Sequence, residues 1–319
     1  MALSKLSADE HGIILGQLLN PLEPRLVVYF SSASSGLRLL LTPALQQQLR
    51  ADHEVAAALC LKVGLRSCKE LRKAKKICWE NKRFSAEELA TLGSLGSVLP
   101  SLEELTIIQF SGWPRRGVQR LAVKLGAGAL PAMTSLCLGY MPVNDAGASA
   151  LAAALGRGAL PRLESLALHN AALGDAGLLA LAPALRRLPA LEHLNLERNL
   201  IGDEGLAALV APPPPLPLPT AGLTKLKELS LFDTKITDAG CAALAAALES
   251  GALPALVHLN LNGTLASAAA KAAVEEALTK SKAAASSLDA SPKTLWMMNY
   301  YYIPYACSAL VGIALGLTH

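Results

Sequence analysis

One apolar pattern, L-x-x-L-x-L, recurs six times along this chain at intervals of 28 to 35 residues. Its copies begin at Leu102, Met133, Leu163, Leu191, Leu226 and Leu256. A single unit of this size cannot bury its own apolar face, so recurrence at a fixed period is typical of a solenoid, in which each unit completes the core of its neighbour. The repeat therefore constrains the fold more than any other feature of the sequence.

A second motif follows the first in phase. The segments VNDAG, LGDAG, IGDEG and ITDAG stand at 143–147, 173–177, 201–205 and 236–240, and runs of alanine and leucine come after them. We expect the apolar pattern to form a short strand and the alanine-rich run to form a helix. The aspartate in each segment is predicted to cap the helix that follows it.

Residues 99–279 resemble leucine-rich repeats of the ribonuclease-inhibitor type on the strength of these two motifs. The resemblance implies an α/β solenoid shaped like a horseshoe, with parallel strands on the concave face and helices on the convex face. One departure is that the asparagine typical of the family occurs only at Asn199, and the other five units carry different residues there. An α-helical N-terminal module and a hydrophobic C-terminal helix complete the predicted fold.

The side chains between the repeated leucines point away from the core, so we expect them to line the concave face. The predicted partner-binding residues are polar or aromatic side chains in or beside the later strands: His169, His193, Asn195, Glu197, Arg198, Glu228, Phe232, Asp233, His258, Asn260 and Asn262. On paper His193, Glu228 and His258 could bind a metal ion. The alternative, which we adopt, is an ordinary polar surface for a protein partner, with no metal and no cofactor.

No pattern in the sequence indicates catalysis. We find no nucleophile with its base, no phosphate-binding loop and no paired acids, so no catalytic residue is predicted. The six cysteines are scattered and form no CxxC pair, which favours reduced thiols in a cytosol-like compartment. A net charge of +4 is too small to indicate a nucleic-acid partner.

The N-terminal segment, residues 1–60, resembles an F-box. The pattern consists of a leading leucine, acidic residues, an apolar helix, a proline and a second apolar helix, and its adaptor-binding residues would be Leu6, Ile14, Leu15, Leu18 and Pro21. The resemblance implies docking on the adaptor subunit of a cullin–RING ubiquitin ligase, with the repeats choosing the substrate. The alternative is a plain helical cap over the first strand of the solenoid.

Residues 61–98 are predicted to hold a basic amphipathic helix and a capping helix. Nine lysines and arginines lie within 62–83 against two glutamates, and apolar residues are spaced between them. The basic side of such a helix is usually exposed to solvent. The alternative with a functional role is that this side contacts an anionic membrane or an acidic partner. Ser85 and Glu88 have the spacing of a capping box for the next helix.

A proline-rich run, residues 211–219, interrupts the fourth repeat. Such a run adopts an extended polyproline helix that a partner domain can bind. The alternative is a surface loop that replaces part of one convex helix.

The C-terminal region consists of a linker, 280–293, and a hydrophobic tail, 294–319, whose only ionisable side chains besides tyrosines and a cysteine belong to His319. The tail is long enough to cross a bilayer, and Ser308, Gly312 and Gly316 recur every four residues, as in closely packed membrane helices. This predicts membrane association with the repeats on the cytosolic-type side. The alternative is a segment that packs on a partner or on the last repeat of a soluble cytoplasmic protein.

Two functions are consistent with these features. The first is an F-box-like substrate receptor of a cullin–RING ubiquitin ligase. The second is a tail-anchored scaffold or accessory subunit of a photosynthetic, respiratory or endomembrane complex.

Overall fold

A single parallel sheet of seven strands runs through the protein, of which the computed structural model describes residues 19–33, 35–111, 114, 116–211 and 222–286. The strands pair strictly in chain order. They are β1 Lys76–Glu80, β2 Glu104–Ile108, β3 Ser135–Gly139, β4 Ser165–Ala167, β5 His193–Asn195, β6 Glu228–Ser230 and β7 His258–Asn260. A parallel sheet in chain order requires a crossover after every strand, and this confirms the predicted α/β solenoid.

Helices supply these crossovers. Those of the repeats are Ala86–Ser94, Gly117–Lys124, Asn144–Gly156, Asp175–Leu185, Asp203–Val210, Asp238–Glu249 and Ala268–Ser286, with a 3₁₀ turn at Leu95–Val98. Packed helices lie roughly 8–10 Å apart, whereas strands lie about 4.8 Å apart. A stack with one helix per strand must therefore curve with its strands on the inner side, which makes the strand face concave.

The core is a continuous column of leucines between the sheet and the helices. The repeated apolar positions of the strands are buried, as Leu194 and Leu229 at 2% and 1% exposure illustrate. Helix residues such as Leu181 and Leu206 close the column from the other side. Burying each such side chain contributes roughly 1.5–3 kcal/mol, and each repeat gains this only when its neighbours are in place.

Asn199 ties two repeats together from inside this core. Its side chain is 2% exposed. Its carbonyl oxygen accepts hydrogen bonds from the backbone N–H groups of Ala171 and Leu173, at 3.0 and 3.1 Å. Its amide group donates to the carbonyl oxygens of Leu168 and Leu196, at 2.8 and 2.9 Å. One side chain thus satisfies backbone groups that the turn after the strand would otherwise leave unpaired.

The aspartates of the second motif do not cap their own helices, contrary to the sequence-based expectation. Asp175 is itself the first residue of its helix, and its carboxylate accepts hydrogen bonds from the N–H groups of Gly202 and Gly205 at the start of the next one. Asp203 likewise accepts from the N–H groups of Thr237 and Gly240. Each aspartate therefore caps the helix of the following repeat, so the motif binds the coils to one another.

Residues 62–83 also differ from the single basic helix predicted there. One helix ends at Lys62, a short helix spans Cys68–Lys73, and β1 follows. Ile77 and Trp79 alternate with exposed side chains and pair with Leu105 and Ile107 of β2. This period of two is typical of a strand, and β1 adds a seventh strand to the six predicted.

The N-terminal module contains three helices within the described residues, Arg25–Ala33, Ser35–Leu40 and Pro43–Lys62. The carbonyl oxygen of Pro21 lies 2.5 Å from Nδ1 of His53, which attaches the first turn to the longest of these helices. The predicted capping box is confirmed, because the Ser85 hydroxyl accepts from the Glu88 N–H and the Glu88 carboxylate accepts from the Ser85 N–H.

Several predicted segments lie outside the described residues. These are the remaining adaptor-binding positions Leu6, Ile14, Leu15 and Leu18, most of the proline-rich run, and the hydrophobic tail with Ser308, Gly312 and Gly316. In the part of the chain that the structure describes, no helix combines the length and the apolar composition needed to cross a bilayer.

Candidate functional site

The strand register places the predicted concave residues in rows. His193, Glu228 and His258 are direct neighbours on β5, β6 and β7. Asn195, Ser230 and Asn260 form a parallel row one step further along the same strands. The C-terminal half of the concave face is therefore a polar surface, as the spacing of the sequence predicts.

The middle of the concave face is made of small side chains. Ser135 and Cys137 on β3 stand beside Ser165 and Ala167 on β4. Burial raises the pKa of the Cys137 thiol to about 12, so this thiol stays protonated at neutral pH and is a poor nucleophile. These residues form a shallow floor rather than a reactive site.

Along one edge of this floor lies a row of aromatic and basic side chains, which we call the aromatic ridge: Phe110, Tyr140, His169, Arg198 and Phe232. The rings of Phe110 and Tyr140 have centroids 4.7 Å apart, and the His169 ring meets Tyr140 edge-on at 5.2 Å. Phe110 is 55% exposed. The Phe110 ring is packed against Tyr140 and still exposed to solvent. This is unusual in a chain with only 4% aromatic residues, most of which would be expected in the core.

Arg198 extends the ridge toward the polar half of the face. Its guanidinium donates a hydrogen bond to the Tyr140 hydroxyl at 3.1 Å and lies 5.7 Å from the centre of the Phe232 ring. Beside it, the Ser230 hydroxyl donates to the carboxylate of Glu197 at 2.5 Å. The guanidinium thus links the aromatic rings that follow β3 and β6 into one surface.

Two members of the ridge stand in left-handed turns that recur between repeats. Tyr140, Arg198 and Asp233 have φ of 55°, 52° and 54° and stand two residues after the last apolar position of their strands. The third of these residues, Asp233, follows the ridge residue Phe232 directly in the chain. Gly139 makes room for His169, since a Cβ atom there would lie 2.2 Å from Nε2 of the imidazole.

Burial lowers the pKa of His169, with the nearby Glu197 acting in the opposite direction. The imidazole is therefore neutral at physiological pH, and it contributes an apolar edge rather than a charge to the ridge. Its Nδ1 atom is buried without a hydrogen-bond partner.

Metal binding at His193, Glu228 and His258 finds no support in the geometry. Among the residues that the structure describes, no three histidine, cysteine or carboxylate side chains converge closely enough to hold an ion.

Sequence reasoning missed Phe110 and Tyr140, because it considered residues between the leucines and aligned Phe110 with Asn199, whose side chain is buried in its own repeat. Gln109, at 1% exposure, is the buried residue in that turn instead. The missed signal at Tyr140 is its spacing, two residues after an apolar position, which it shares with Arg198. Lys76, Cys78 and Glu80 of β1 were missed because the strand itself was.

Comparison with known proteins supports the repeat assignment. A family model described as Leucine Rich repeat matches residues 188–210 and 222–245. No curated protein matches the chain in sequence.

Solved structures show a distant likeness. A protein from Bacteroides fragilis has 13% identity and a TM-score of 0.39, with 70% of this chain and 68% of that one covered. Actin-binding site 2 of leiomodin-1 has 20% identity and a TM-score of 0.34, with 45% of this chain and 80% of that one covered. Two segments of the chain thus match a leucine-rich-repeat model, and the described residues form an α/β solenoid in which strand and helix alternate.

Proposed function

We propose that the protein is a non-enzymatic interaction module that binds a polypeptide partner across its concave face. The aromatic ridge is the observation that carries the proposal. Beyond residue 100, all described phenylalanines and tyrosines lie in this ridge. Tyrosine and arginine are enriched among the residues that dominate binding energy at protein interfaces.

The concave face has two chemically different halves. Near β3 and β4 the ridge borders a floor of small side chains, which can receive an apolar anchor residue of the partner. From β5 to β7 the rows carry histidine, asparagine and glutamate side chains, which can hydrogen-bond a polar segment. Seven strands leave six gaps, which span about 29 Å at about 4.8 Å each, a length suited to a protein surface or an extended peptide.

Paired substitutions test the proposal. Phe110→Ala with Tyr140→Ala removes one exposed and one half-buried ring of the ridge. Val123→Ala with Leu179→Ala removes apolar side chains from convex helices, where they are 60% and 40% exposed. We expect a partner captured by the wild type and by the convex variant to be lost by the ridge variant. The affinity of that purified partner should then fall at least tenfold, as for loss of a hot spot of about 2 kcal/mol. Equal binding by all three proteins would contradict the proposal.

Charge reversal tests the polar half. Glu197→Lys with Glu228→Lys should weaken binding while leaving the fold intact, because both side chains are only half-buried. Unfolding measured by circular dichroism checks the fold. Unchanged binding would indicate that the interface lies on the convex side or in the tail.

A finer proposal is that the module is an F-box-like substrate receptor of a cullin–RING ligase. Its support is the N-terminal sequence pattern and the helix Arg25–Ala33 that follows Pro21. Binding to the purified adaptor subunit tests it, with Ile14→Asp and Leu15→Asp as the variant expected to abolish binding. No binding by the wild type would leave residues 1–60 as a helical cap.

A second candidate is a tail-anchored scaffold of a membrane complex, favoured by the uncharged run of residues 294–318. An alkaline carbonate wash of membranes compares the full-length protein with a version that ends at Pro292. Retention of the full-length protein alone supports an integral anchor. Release of both proteins contradicts it.

A further inference from the structure

A basic crevice lies at the junction of the N-terminal module and the first repeats, away from the concave face. It has a volume of about 220 Å³ and is lined by Glu23, Lys69, Arg72, Lys73, Pro100 and Ser101. Its walls come from the turn before the first described helix, from the helix Cys68–Lys73, and from the loop that leads into β2. Three separate parts of the chain thus meet around a concentration of positive charge.

The packing of the helix Cys68–Lys73 sets the direction of these cations. Cys68 and Leu71 are buried, at 6% and 0% exposure, and the Ser67 hydroxyl caps the helix by accepting from the Glu70 N–H. With these residues fixed in the core, Lys69 and Lys73 stand one turn apart on the same side. The two ammonium groups therefore face one space by construction of the helix.

The positive charges that line the crevice are only partly neutralised by carboxylates. Arg72 forms an ion pair with Glu23. Glu23 is the one acidic residue in the lining, so its carboxylate is already paired with a cation of the crevice. Glu70 accepts a hydrogen bond from the Arg66 N–H at 2.7 Å. Within the described residues, no carboxylate lies at ion-pair distance from Lys69 or Lys73, so the lining carries three positive charges and one negative, a net of +2.

The neighbouring cations are matched differently. Lys75 pairs with Glu103 at 2.9 Å and Lys76 pairs with Glu104 at 2.6 Å. Two lysines next to each other in the chain thus have carboxylate partners on β2 or just before it, while the two lysines of the crevice have none among the described residues. Like charges at this spacing on a helix are unfavourable, and an anion between them would remove that cost.

The size of the crevice narrows the choice of anion. Cofactor and drug-sized ligands occupy about 300–1,000 Å³, more than this crevice offers. Proteins that track nucleic acid use many phosphate contacts, and polybasic membrane sites use about 4–8 exposed basic residues, whereas only three cations line the crevice itself. A pair of exposed lysines one helical turn apart, beside an arginine and a serine hydroxyl, instead suits one projecting group with a charge of about −2 and several acceptor oxygens, which describes a phosphate monoester.

We propose that the basic crevice binds the phosphate group of a phosphorylated side chain in a partner polypeptide. Lys69 and Lys73 supply the charge-assisted hydrogen bonds, Ser101 donates a further one, and the Glu23–Arg72 ion pair holds the crevice open. The site is independent of the concave face.

Nuclear magnetic resonance of the full-length protein tests this with a glycine-flanked phosphoserine pentapeptide. We expect saturable shifts at Lys69, Lys73 and Ser101, none with the matching serine peptide, and displacement of the phosphopeptide by inorganic phosphate. Lys69→Gln with Lys73→Gln should weaken binding at least about tenfold, because two charge-assisted hydrogen bonds are lost. Lys225→Gln with Lys235→Gln removes the same charge from exposed positions on the later repeats and should change nothing.

Three results would overturn the proposal. The phosphorylated and unphosphorylated peptides could shift the same signals equally, or the Lys69/Lys73 variant could bind the phosphopeptide as the wild type does. In the third, the protein binds phosphatidylcholine vesicles that contain phosphatidylserine, this binding requires Lys69 and Lys73, and the phosphopeptide does not bind. That result would assign the crevice to an anionic membrane. Binding of the phosphopeptide by the Phe110/Tyr140 variant separates this test from that of the concave face.

Discussion

Replacing Asn199 with alanine probes a buried polar link between two repeats. The side chain is 2% exposed, so no water reaches the groups that it leaves behind. The N–H groups of Ala171 and Leu173 would lose their acceptor. An unpaired buried donor costs roughly 1–3 kcal/mol, so two such donors predict a loss of about 2–6 kcal/mol in the free energy of unfolding.

Threonine at the same position should give an intermediate loss. The equivalent residue of the sixth strand, Thr234, is buried and donates its hydroxyl to the Leu231 carbonyl oxygen at 2.8 Å, so the fold tolerates this side chain. Asn262→Ala removes an exposed asparagine and should change stability by less than about 0.5 kcal/mol.

Urea unfolding followed by circular dichroism measures these differences, provided that the slope of the transition is the same in each variant. A change of slope would indicate that the repeats unfold separately, in which case hydrogen exchange at the amides of Ala171 and Leu173 is the more direct measurement. A loss below about 1 kcal/mol in Asn199→Ala, with an unchanged slope, would refute the reasoning.

Three further predictions concern the ridge, the helix caps and the thiols. Gly139→Ala should cost about 1–3 kcal/mol by forcing His169 off the sheet, and the cost should shrink in a His169→Ala background; additive losses in this double-mutant cycle would show that the two residues do not interact. Burial alone would raise the pKa of Asp203, but hydrogen bonds from the next repeat hold that pKa below its ordinary value. Its stabilising effect should therefore be complete above the ordinary carboxyl range and disappear as the pH falls through the lowered pKa. Asp203→Asn should flatten the acid side of a plot of urea midpoint against pH, and coincident plots would contradict this. In a timed alkylation followed by mass spectrometry, exposed Cys78 should react well before Cys137, whose pKa is raised to about 12 by burial; equal rates would show that the concave floor opens to solvent.

The N-terminal boundary of the solenoid shows where sequence reasoning fell short. The pattern around Ile77 and Trp79 has apolar residues in alternation, but the apolar residues spaced among many basic ones favoured an amphipathic helix. Pairing with β2 decided the outcome, because Ile77 and Trp79 gain burial only beside Leu105 and Ile107. Local spacing alone does not distinguish these two structures in a short segment.

The aspartate motif shows the same division. The sequence predicted that the motif follows each strand at the same offset and stands at the start of a helix, because helix N-termini favour aspartate. The sequence did not predict which helix each aspartate caps, since the Gly205 N–H that Asp175 binds lies 30 residues away.

The sequence by itself determined the repeat, its strand-turn-helix order and the residues that face the core, because periodic burial acts within each unit. It also determined that the later strands carry polar side chains on the concave face. Only the tertiary structure decided which side chains meet across repeats: the caps, the core contacts of Asn199, the aromatic ridge and the basic crevice. These contacts join residues about 20 to 60 positions apart, and they form only when stacked coils bring backbone and side chains to within hydrogen-bonding or van der Waals distance.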